Sequence, residues 1–147
     1  MKILTLCAGG NARSVTLATI IKYRCRGKYD VLAASIEKNT DETLMMLFKW
    51  ADKVLVADTD LWNELIQRFV DITRYNIKYP YTRLVDKLVL ADLGKDMWGM
   101  SMHPDLIPLA CKVLSDLGFE LKASAEEIIQ HREKYDKRRK ERQPYED

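Results

Sequence analysis

The hydrophobic positions along this chain fall into two alternating patterns. Four short apolar runs predict buried β-strands, at residues 3–6, 29–34 and 53–57 and within 84–90. Between and after them, apolar residues recur every three or four positions, and this spacing predicts helices from Ser14, over 41–50, from 58–60 to about 74, and over 105–117. We therefore expect an α/β fold in three layers, α/β/α, around a central four-stranded parallel sheet.

Residues suited to helix ends support these boundaries. Ser14 suits the start of the first helix, residues 39–41 offer caps for the second, and 58–60 offer caps for the third. In the fourth helix Pro108 is tolerated only in the first turn, and Gly118 is expected to end the helix. The side chains that we expect on its core face are Leu106, Leu109, Ala110, Val113 and Leu117.

The C-terminal region has a different composition. Residues 123–142 are rich in helix formers, but only Ile128 and Ile129 near their start are apolar enough to pack. Residues 132–142 hold seven basic and three acidic side chains. We therefore divide the chain into an α/β domain, 1–121, and a basic helical extension, 122–147. A charge run of this kind is usually a solvated face, and the alternative is contact with an anionic partner or another chain.

Composition excludes several classes of protein. The chain has 147 residues, of which 47% are hydrophobic and 31% are charged, as in an ordinary globular domain. No apolar run approaches the roughly 20 residues that span a bilayer, and three cysteines at irregular spacing do not predict a disulfide framework. We expect a cytoplasmic protein with no membrane span. A net charge of +2 does not identify a partner, and we do not expect nucleic acid to be one.

The residues after the first strand predict an anion-binding loop. Cys7 ends the strand, and Gly9, Gly10 and Asn11 are the residue types that most readily adopt a positive φ. The five residues between Cys7 and Arg13 can curl into a nest of N–H groups at the positive end of a helix dipole. Such a site fits a phosphate, because the planar fork of Arg13 can hold two of its oxygens.

A cysteine in this position has a chemical meaning. The positive field of the loop favours the thiolate of Cys7, the nucleophilic form, and a thiolate beneath a bound phosphate can attack phosphorus. The structural alternative is a small core residue at the end of a buried strand. Two other common phosphate loops, Gly-x4-Gly-Lys-Ser/Thr and Gly-x-Gly-x-x-Gly, do not occur in the chain.

Phosphoryl transfer also needs a group that protonates the leaving oxygen. His103 and His131 are the two histidines, and neither has a compelling context. The loop after the fourth strand, residues 92–102, offers Asp92 and Asp96. We expect this loop at the carboxyl edge of the parallel sheet, where Cys7 also lies.

These motifs resemble those of the low-molecular-weight protein tyrosine phosphatases. In that family an N-terminal Cys-x5-Arg-Ser loop is joined by a later Asp-Pro-aromatic-Gly loop, which carries the general acid. Residues 7–14 match the first motif, and residues 96–99, Asp-Met-Trp-Gly, look like the second. Residues 51–58 are similar to the family's strand segment Asp-x-Ile-Leu-Val-Met-Asp. The resemblance covers about residues 1–118, in the family's order.

The resemblance implies a hydrolase that acts on phosphotyrosine proteins or small aryl phosphates, without a cofactor or metal. Cys7 would form a phosphocysteine, the Ser14 hydroxyl would stabilise its thiolate, and Asp96 would donate and later accept the proton. Trp98 would form a wall of the cleft against which a phenyl ring stacks. The phosphate and its transition-state charge would be bound by Arg13 and the amides of Ala8, Gly9, Gly10, Asn11, Ala12, Arg13 and Ser14.

The chain departs from the family pattern at several positions. Gly10 stands where the family usually has Asn, with Asn11 one place later, and Ala12 stands where a second cysteine is frequent. Cys7 therefore lacks the usual partner for a protective disulfide. Met97 replaces the proline beside Asp96, so the acid loop is less rigid than in the family.

Three other functions stay open at this stage. A phosphocysteine phosphocarrier would lack an acid such as Asp96, and a non-catalytic phosphotyrosine-binding module would bind without turnover. An arsenate reductase would need further redox cysteines near the cleft, whereas Cys25 and Cys111 are expected as small core residues. An aromatic loop formed by Tyr75, Tyr79 and Tyr81 is a weaker candidate for the flank of the cleft.

Overall fold

Four parallel strands form one sheet in the computed structural model, which describes residues 1–9, 12–73 and 81–142. The sheet order is β2-β1-β3-β4. Cys7 lies opposite Ser35 in the register of the first two strands, and Leu6 lies opposite Val56 in that of β1 and β3. The strands are β1 (Lys2–Cys7), β2 (Asp30–Ser35), β3 (Lys53–Val56) and β4 (Leu88–Leu90).

Helices cover both faces of this sheet. The predicted three-layer α/β/α architecture with an added C-terminal helix is therefore confirmed, and the second helix has the predicted bounds. The helices of the described residues are α1 (Ala12–Arg24), α2 (Asp41–Trp50), α3 (Thr59–Thr73), α4 (Tyr81–Val85), α5 (Leu106–Asp116) and α6 (Ala125–Arg142). None of them is long and apolar enough to cross a membrane.

Two apolar clusters form the core, one on each face of the sheet. On one face α2 and α3 pack through side chains such as Leu44, Phe48 and Phe69, whose two phenyl rings meet edge to face at 4.3 Å. On the other face α1 and α5 pack together, and Ile128 from the first turn of α6 joins them. All side chains of β1 after Lys2 are buried, and Leu4 and Leu6 join one cluster while Ile3 joins the other, as a strand with two covered faces requires.

The start of the first helix differs from the sequence-based prediction. The first helix begins at Ala12, so Ser14 lies inside its first turn and does not cap it. β4 lies within the predicted segment 84–90, and the short helix α4 before it was not predicted. Thr40 caps α2 by accepting from the Thr43 N–H at 3.2 Å, and Asp58 accepts from the Leu61 N–H at the start of α3.

The buried face of α5 was predicted only in part. Leu106 and Ala110 are buried as predicted, and Leu109 and Val113 are half-buried against the core cluster, but Leu117 is exposed, because the apolar side of this helix is wider than the face that packs. Packing against α1 decides the rotation. Pro108 lies in the first turn as predicted, and Gly118 ends the helix with a φ of +95°. The buried side chains are Leu106, Ile107, Ala110, Cys111 and Leu114.

Cys25 and Cys111 are buried thiols in the second cluster, as predicted. Burial raises the pKa of the Cys25 thiol from its ordinary value of 9.0 to about 11, with a further upward contribution from Cys111 and a downward one from Lys122. Burial likewise raises the pKa of Cys111. Neither thiol is poised to act as a nucleophile at neutral pH.

This burial predicts a loss of stability in alkaline solution. Between pH 9 and 11 the unfolded chain releases the Cys25 proton while the folded chain keeps it, so the free energy of unfolding falls as pH rises. Above pH 9, wild type should lose about 1 kcal/mol per pH unit more than Cys25→Ala. Urea unfolding of both proteins at about pH 8 and about pH 10 measures this. If the free energies of unfolding of wild type and Cys25→Ala differed by the same amount at both pH values, the prediction would be contradicted.

Candidate active site

The Cys7 loop lies where the strand order of the sheet reverses. The chain passes from β1 to β2 on one side, and β3 then pairs with the opposite side of β1. At such a switch point the connections leave the carboxyl edge of the sheet in opposite directions and open a crevice. Cys7 ends β1 at this crevice, and Asp58 follows β3 at the same edge.

The thiol of Cys7 is held at the start of α1. Its Sγ lies 3.0 Å from the Ser14 Oγ, and both side chains are buried. An O–H donor at this distance stabilises a thiolate, and the N-terminal end of the α1 dipole acts in the same direction. The structure therefore brings together the two side chains that the sequence placed seven residues apart.

The first half of the loop is braced by the end of β2. Backbone N–H groups of Ile36 and Glu37 donate to the carbonyls of Cys7 and Ala8 at 3.0 and 2.9 Å. The buried Ser35 hydroxyl donates to the same Ala8 carbonyl at 2.6 Å. These bonds extend the β1–β2 pairing beyond Cys7 and fix where the loop leaves the strand.

The second half of the loop is braced by two threonine hydroxyls. Thr5 Oγ1 donates to the Ser14 carbonyl at 2.7 Å, and Thr16 Oγ1 donates to the Ala12 carbonyl at the same distance. Thr16 Oγ1 also accepts from the Met102 N–H at 2.8 Å, which ties the end of the 92–102 loop to α1. Gly10 and Asn11, the middle of the predicted phosphate loop, lie outside the described residues.

Arg13 is the largest fully buried side chain among the described residues, with 1% of its surface exposed. Its guanidinium forms an ion pair with the Asp58 carboxylate and also donates to the Gly94 carbonyl at 2.6 Å. The buried Nε–H has no partner within the described part of the chain. A buried unpaired donor is costly unless a ligand satisfies it, and this one belongs to the residue predicted to bind phosphate.

Asp58 has two roles that sequence reasoning only half anticipated. One oxygen accepts from the Leu61 N–H at 2.7 Å and caps α3, as predicted, while the other pairs with Arg13. An acid directly after a strand at the carboxyl edge of a parallel sheet was the signal that would have identified it. Its pairing with Arg13 depends on β1 and β3 being neighbours, which the sequence does not state.

The loop that carries Asp96 reaches the site through Gly94. Asp92 accepts from the Gly94 N–H at 3.1 Å, which turns the chain so that the Gly94 carbonyl meets Arg13. Asp96 is two residues further on, so its Cα lies within about 8 Å of the Gly94 Cα. Its carboxylate is exposed and makes no hydrogen bond or ion pair within the described residues. The assignment of Asp96 as the acid stays a prediction.

Trp98 is half-buried and does not lie fully exposed on the surface of the loop. It packs against the core cluster on the α1 and α5 side, and its ring lies 5.6 Å from the His103 ring. Its Nε1–H is buried without a partner among the described residues. The role of Trp98 as a cleft wall stays a prediction. Tyr75, Tyr79 and the side chain of Tyr81 lie outside the described residues.

Glu37 is a neighbour of the loop that sequence reasoning missed. A Cβ added to Gly9 would lie 2.2 Å from a carboxylate oxygen of Glu37, so this exposed acid rests against the loop backbone. It follows β2 in a turn without any motif. No pattern in the sequence could therefore have associated it with Cys7.

Cys25 lies at the far end of α1 from Cys7. It comes eleven residues after Ser14, immediately beyond α1, and a helix rises 1.5 Å per residue, so Cys25 lies about 16 Å from Ser14, the residue that contacts Cys7. A disulfide needs Cα atoms within about 7 Å of each other. This geometry disfavours a reductase that would use Cys7 together with Cys25.

No model of a known protein family matches this chain, and no curated protein matches its sequence. Among solved structures, the chain is similar to the YwlE arginine phosphatase from Geobacillus stearothermophilus. The two share 16% sequence identity and a TM-score of 0.48, over 79% of this chain and 92% of that chain. The chemistry proposed below rests on the residues of the site itself.

The buried ion pair predicts a large difference between two substitutions of Asp58. Asp58→Asn removes the charge opposite Arg13 but keeps an oxygen for the Leu61 N–H, and it should lower the free energy of unfolding by about 3 kcal/mol. Asp58→Ala also removes the cap and should cost about 1 kcal/mol more. Urea unfolding at neutral pH measures both values.

A surface ion pair provides the control. Asp41 pairs with Arg68 at 2.5 Å, but 53% of the Asp41 side chain is exposed. Asp41→Asn should therefore cost less than about 1 kcal/mol, because solvent screens the pair. Equal losses for Asp41→Asn and Asp58→Asn would contradict the importance assigned to the buried pair.

Proposed function

We propose that this chain is a cysteine-dependent phosphomonoester hydrolase that acts through a phosphocysteine. The observation that carries the proposal is the 3.0 Å contact between Cys7 Sγ and Ser14 Oγ at the N-terminus of α1. Arg13 is buried beside it with an unpaired Nε–H. A nucleophile, a hydroxyl that stabilises it and a donor for phosphate oxygens thus occupy the two ends of one loop.

The first step is attack on phosphorus. The Cys7 thiolate forms an S–P bond while the P–O bond to the leaving group breaks, and an acid gives its proton to the departing oxygen. Arg13 and the backbone N–H groups of the loop stabilise the negative charge on the phosphoryl oxygens through hydrogen bonds. Asp58 holds the Arg13 guanidinium in one orientation, so little reorganisation is needed when the phosphate binds.

The second step returns the enzyme to its starting state. Water attacks the phosphocysteine, the same carboxylate accepts the proton of that water, and the S–P bond breaks to release inorganic phosphate and the thiolate. Asp96 is the carboxylate that we assign to both proton transfers. The Arg13 bond to Gly94, two residues before it, supports this assignment, and Asp92 is the second candidate.

We assign phosphotyrosine or another aryl phosphate as the substrate class. Aryl oxygens need less help to leave than alkyl oxygens, which suits an acid that sits in an exposed loop. Trp98, beside Asp96, offers an aromatic edge for such a ring. The alternative is a phosphate-binding module or a phosphocarrier on the same fold. The exposed carboxylate of Asp96, which has no hydrogen bond or ion pair within the described residues, favours this alternative, because neither function needs a positioned acid.

Hydrolysis of p-nitrophenyl phosphate at mildly acid to neutral pH tests the proposal. Cys7→Ser should abolish turnover, and Asp96→Asn should lower kcat by about 10²- to 10⁴-fold, the usual contribution of a positioned acid. Ser14→Ala should lower kcat/KM by about tenfold or more, since a charge-assisted hydrogen bond to the thiolate is lost. Cys111→Ser, at a cysteine outside the loop, is the control and should retain activity.

The outcomes separate the candidates. Loss of turnover with Cys7→Ser but not with Asp96→Asn keeps the hydrolase and moves the acid, with Asp92→Asn tested next. No turnover by the folded, reduced wild type overturns the hydrolase and favours the binding module or the phosphocarrier. Trapping of a stable phosphocysteine by mass spectrometry would then identify the carrier.

A further inference from the structure

A groove runs between α1 and α6, outside the site described above. It has a volume of about 390 Å³, and Tyr23 and Arg24 of α1 form one wall. Ile128, Arg132 and Tyr135 of α6 form the other. Met102, at the end of the 92–102 loop, also lines it. His131 of α6 lines it as well, so the groove combines apolar surface with two tyrosine rings, one imidazole and two guanidinium groups.

A second depression continues this groove along α6. It has a volume of about 270 Å³ and shares Tyr135 with the first. Its other lining residues among the described part of the chain are Arg138, Arg139 and Arg142. From residue 132 to residue 142 the helix rises about 15 Å, so the two depressions form one basic track of that length.

The charges of α6 are sorted between its faces. At 100° per residue, positions 132, 135, 138, 139 and 142 lie on the groove face, and no acid of the 131–142 stretch lies there. The rest of the helix surface carries three lysines and three acids, whose charges cancel: Lys134, Lys137, Lys140, Glu133, Asp136 and Glu141. Asp136 borders the groove face, where it pairs with Arg132. The whole positive excess of this stretch therefore comes from the arginines of the groove.

The groove face has no structural role that explains this composition. Ile128 is the buried residue of α6, whereas 68% of Tyr23 and 52% of Tyr135 are exposed. The Arg132 guanidinium lies over the Tyr135 ring at 5.5 Å and pairs with Asp136. Arg138, Arg139 and Arg142 have no ion pair within the described residues. Large exposed rings beside such arginines are typical of a recognition surface.

We propose that this groove binds an acidic segment of the phosphoprotein substrate, with an apolar side chain at the Met102 end and carboxylates along the arginines. The substrate assignment rests on the proposed function. Arginine forks match carboxylates in two-point contacts. A nucleic acid fits less well, because Met102 and Ile128 add apolar surface to the groove and the Arg132 guanidinium lies over the Tyr135 ring.

The groove begins close enough to the phosphate loop for one peptide to reach both. Met102 donates its N–H to Thr16, which bonds to Ala12 at the start of α1. Thr19 and Tyr23 lie five and nine residues after Ser14, which is about 8 and 14 Å along the helix. An extended chain covers about 3.3 Å per residue, so the apolar anchor should lie about three to five residues from the phosphorylated one.

Two pairs of substitutions with the same change in net charge test the groove. Arg138→Gln with Arg139→Gln removes two charges from the groove face, and Lys137→Gln with Lys140→Gln removes two from the opposite face. The probe is a fluorescein-labelled, unphosphorylated peptide with one leucine followed by four glutamates, measured by anisotropy at low salt. The arginine pair should weaken binding about tenfold, and the lysine pair less than about twofold.

Kinetics with the full chain distinguish the substrate assignment from the hydrolase itself. The arginine pair should raise KM for a phosphotyrosine peptide that carries this acidic segment, and leave kcat/KM for p-nitrophenyl phosphate unchanged. Peptide binding without any turnover by wild type would overturn the hydrolase but support the ligand class of the groove.

Three outcomes would overturn the proposal that the groove binds an acidic peptide. The first is equal weakening by both pairs, which indicates non-specific attraction to net charge. The second is no binding of the acidic peptide by wild type. The third is tighter binding of a thymidine oligonucleotide than of the peptide, with loss of that binding in the arginine pair, which would make the surface a single-stranded nucleic acid site.

Discussion

The buried ion pair between Arg13 and Asp58 is the contact on which the geometry of the site depends. Arg13 belongs to the first turn of α1, Asp58 begins α3, and the Gly94 carbonyl that also binds Arg13 belongs to the loop after β4. A single guanidinium thus joins the connections that leave three strands. Burying a charge is unfavourable unless it is paired and hydrogen-bonded, so these three segments must meet at the crevice for the charge of Arg13 to be compensated.

Polar side chains buried in the core are concentrated around the same loop. Among the described residues, the buried polar or charged side chains are Thr5, Arg13, Ser14, Thr16 and Ser35. Each belongs to the Cys7 loop or bonds to one of its atoms. Polar side chains therefore replace apolar ones in the core at the positions where their hydrogen bonds hold the Cys7 loop in one conformation. Such preorganisation is what stabilisation of a charged transition state requires.

Most of the fold could be predicted from local patterns. The bounds of α2 and the end of α5 at Gly118 follow from caps, periodicity and a positive φ, which are short-range properties of the chain. The buried face of α5 could be predicted only in part, because its apolar side is wider than the face that packs, and contact with α1 decides which apolar residues are covered. Ser14 was misjudged as a cap for a related reason, since α1 begins two residues earlier than its apolar pattern.

The sequence by itself determined which residues form the loop, since Cys7 ends one strand and Arg13 and Ser14 lie in the first turn of the next helix, within eight residues. Only the tertiary structure decided what Arg13 pairs with and what braces the loop. Asp58 follows β3 and Ser35 ends β2, 45 and 22 residues after Arg13, and strand order brings Asp58 to Arg13 and Ser35 to Ala8. Contacts within a turn are encoded by neighbouring residues, whereas contacts across a sheet depend on which strands pair, and hydrophobic pattern alone does not specify that order.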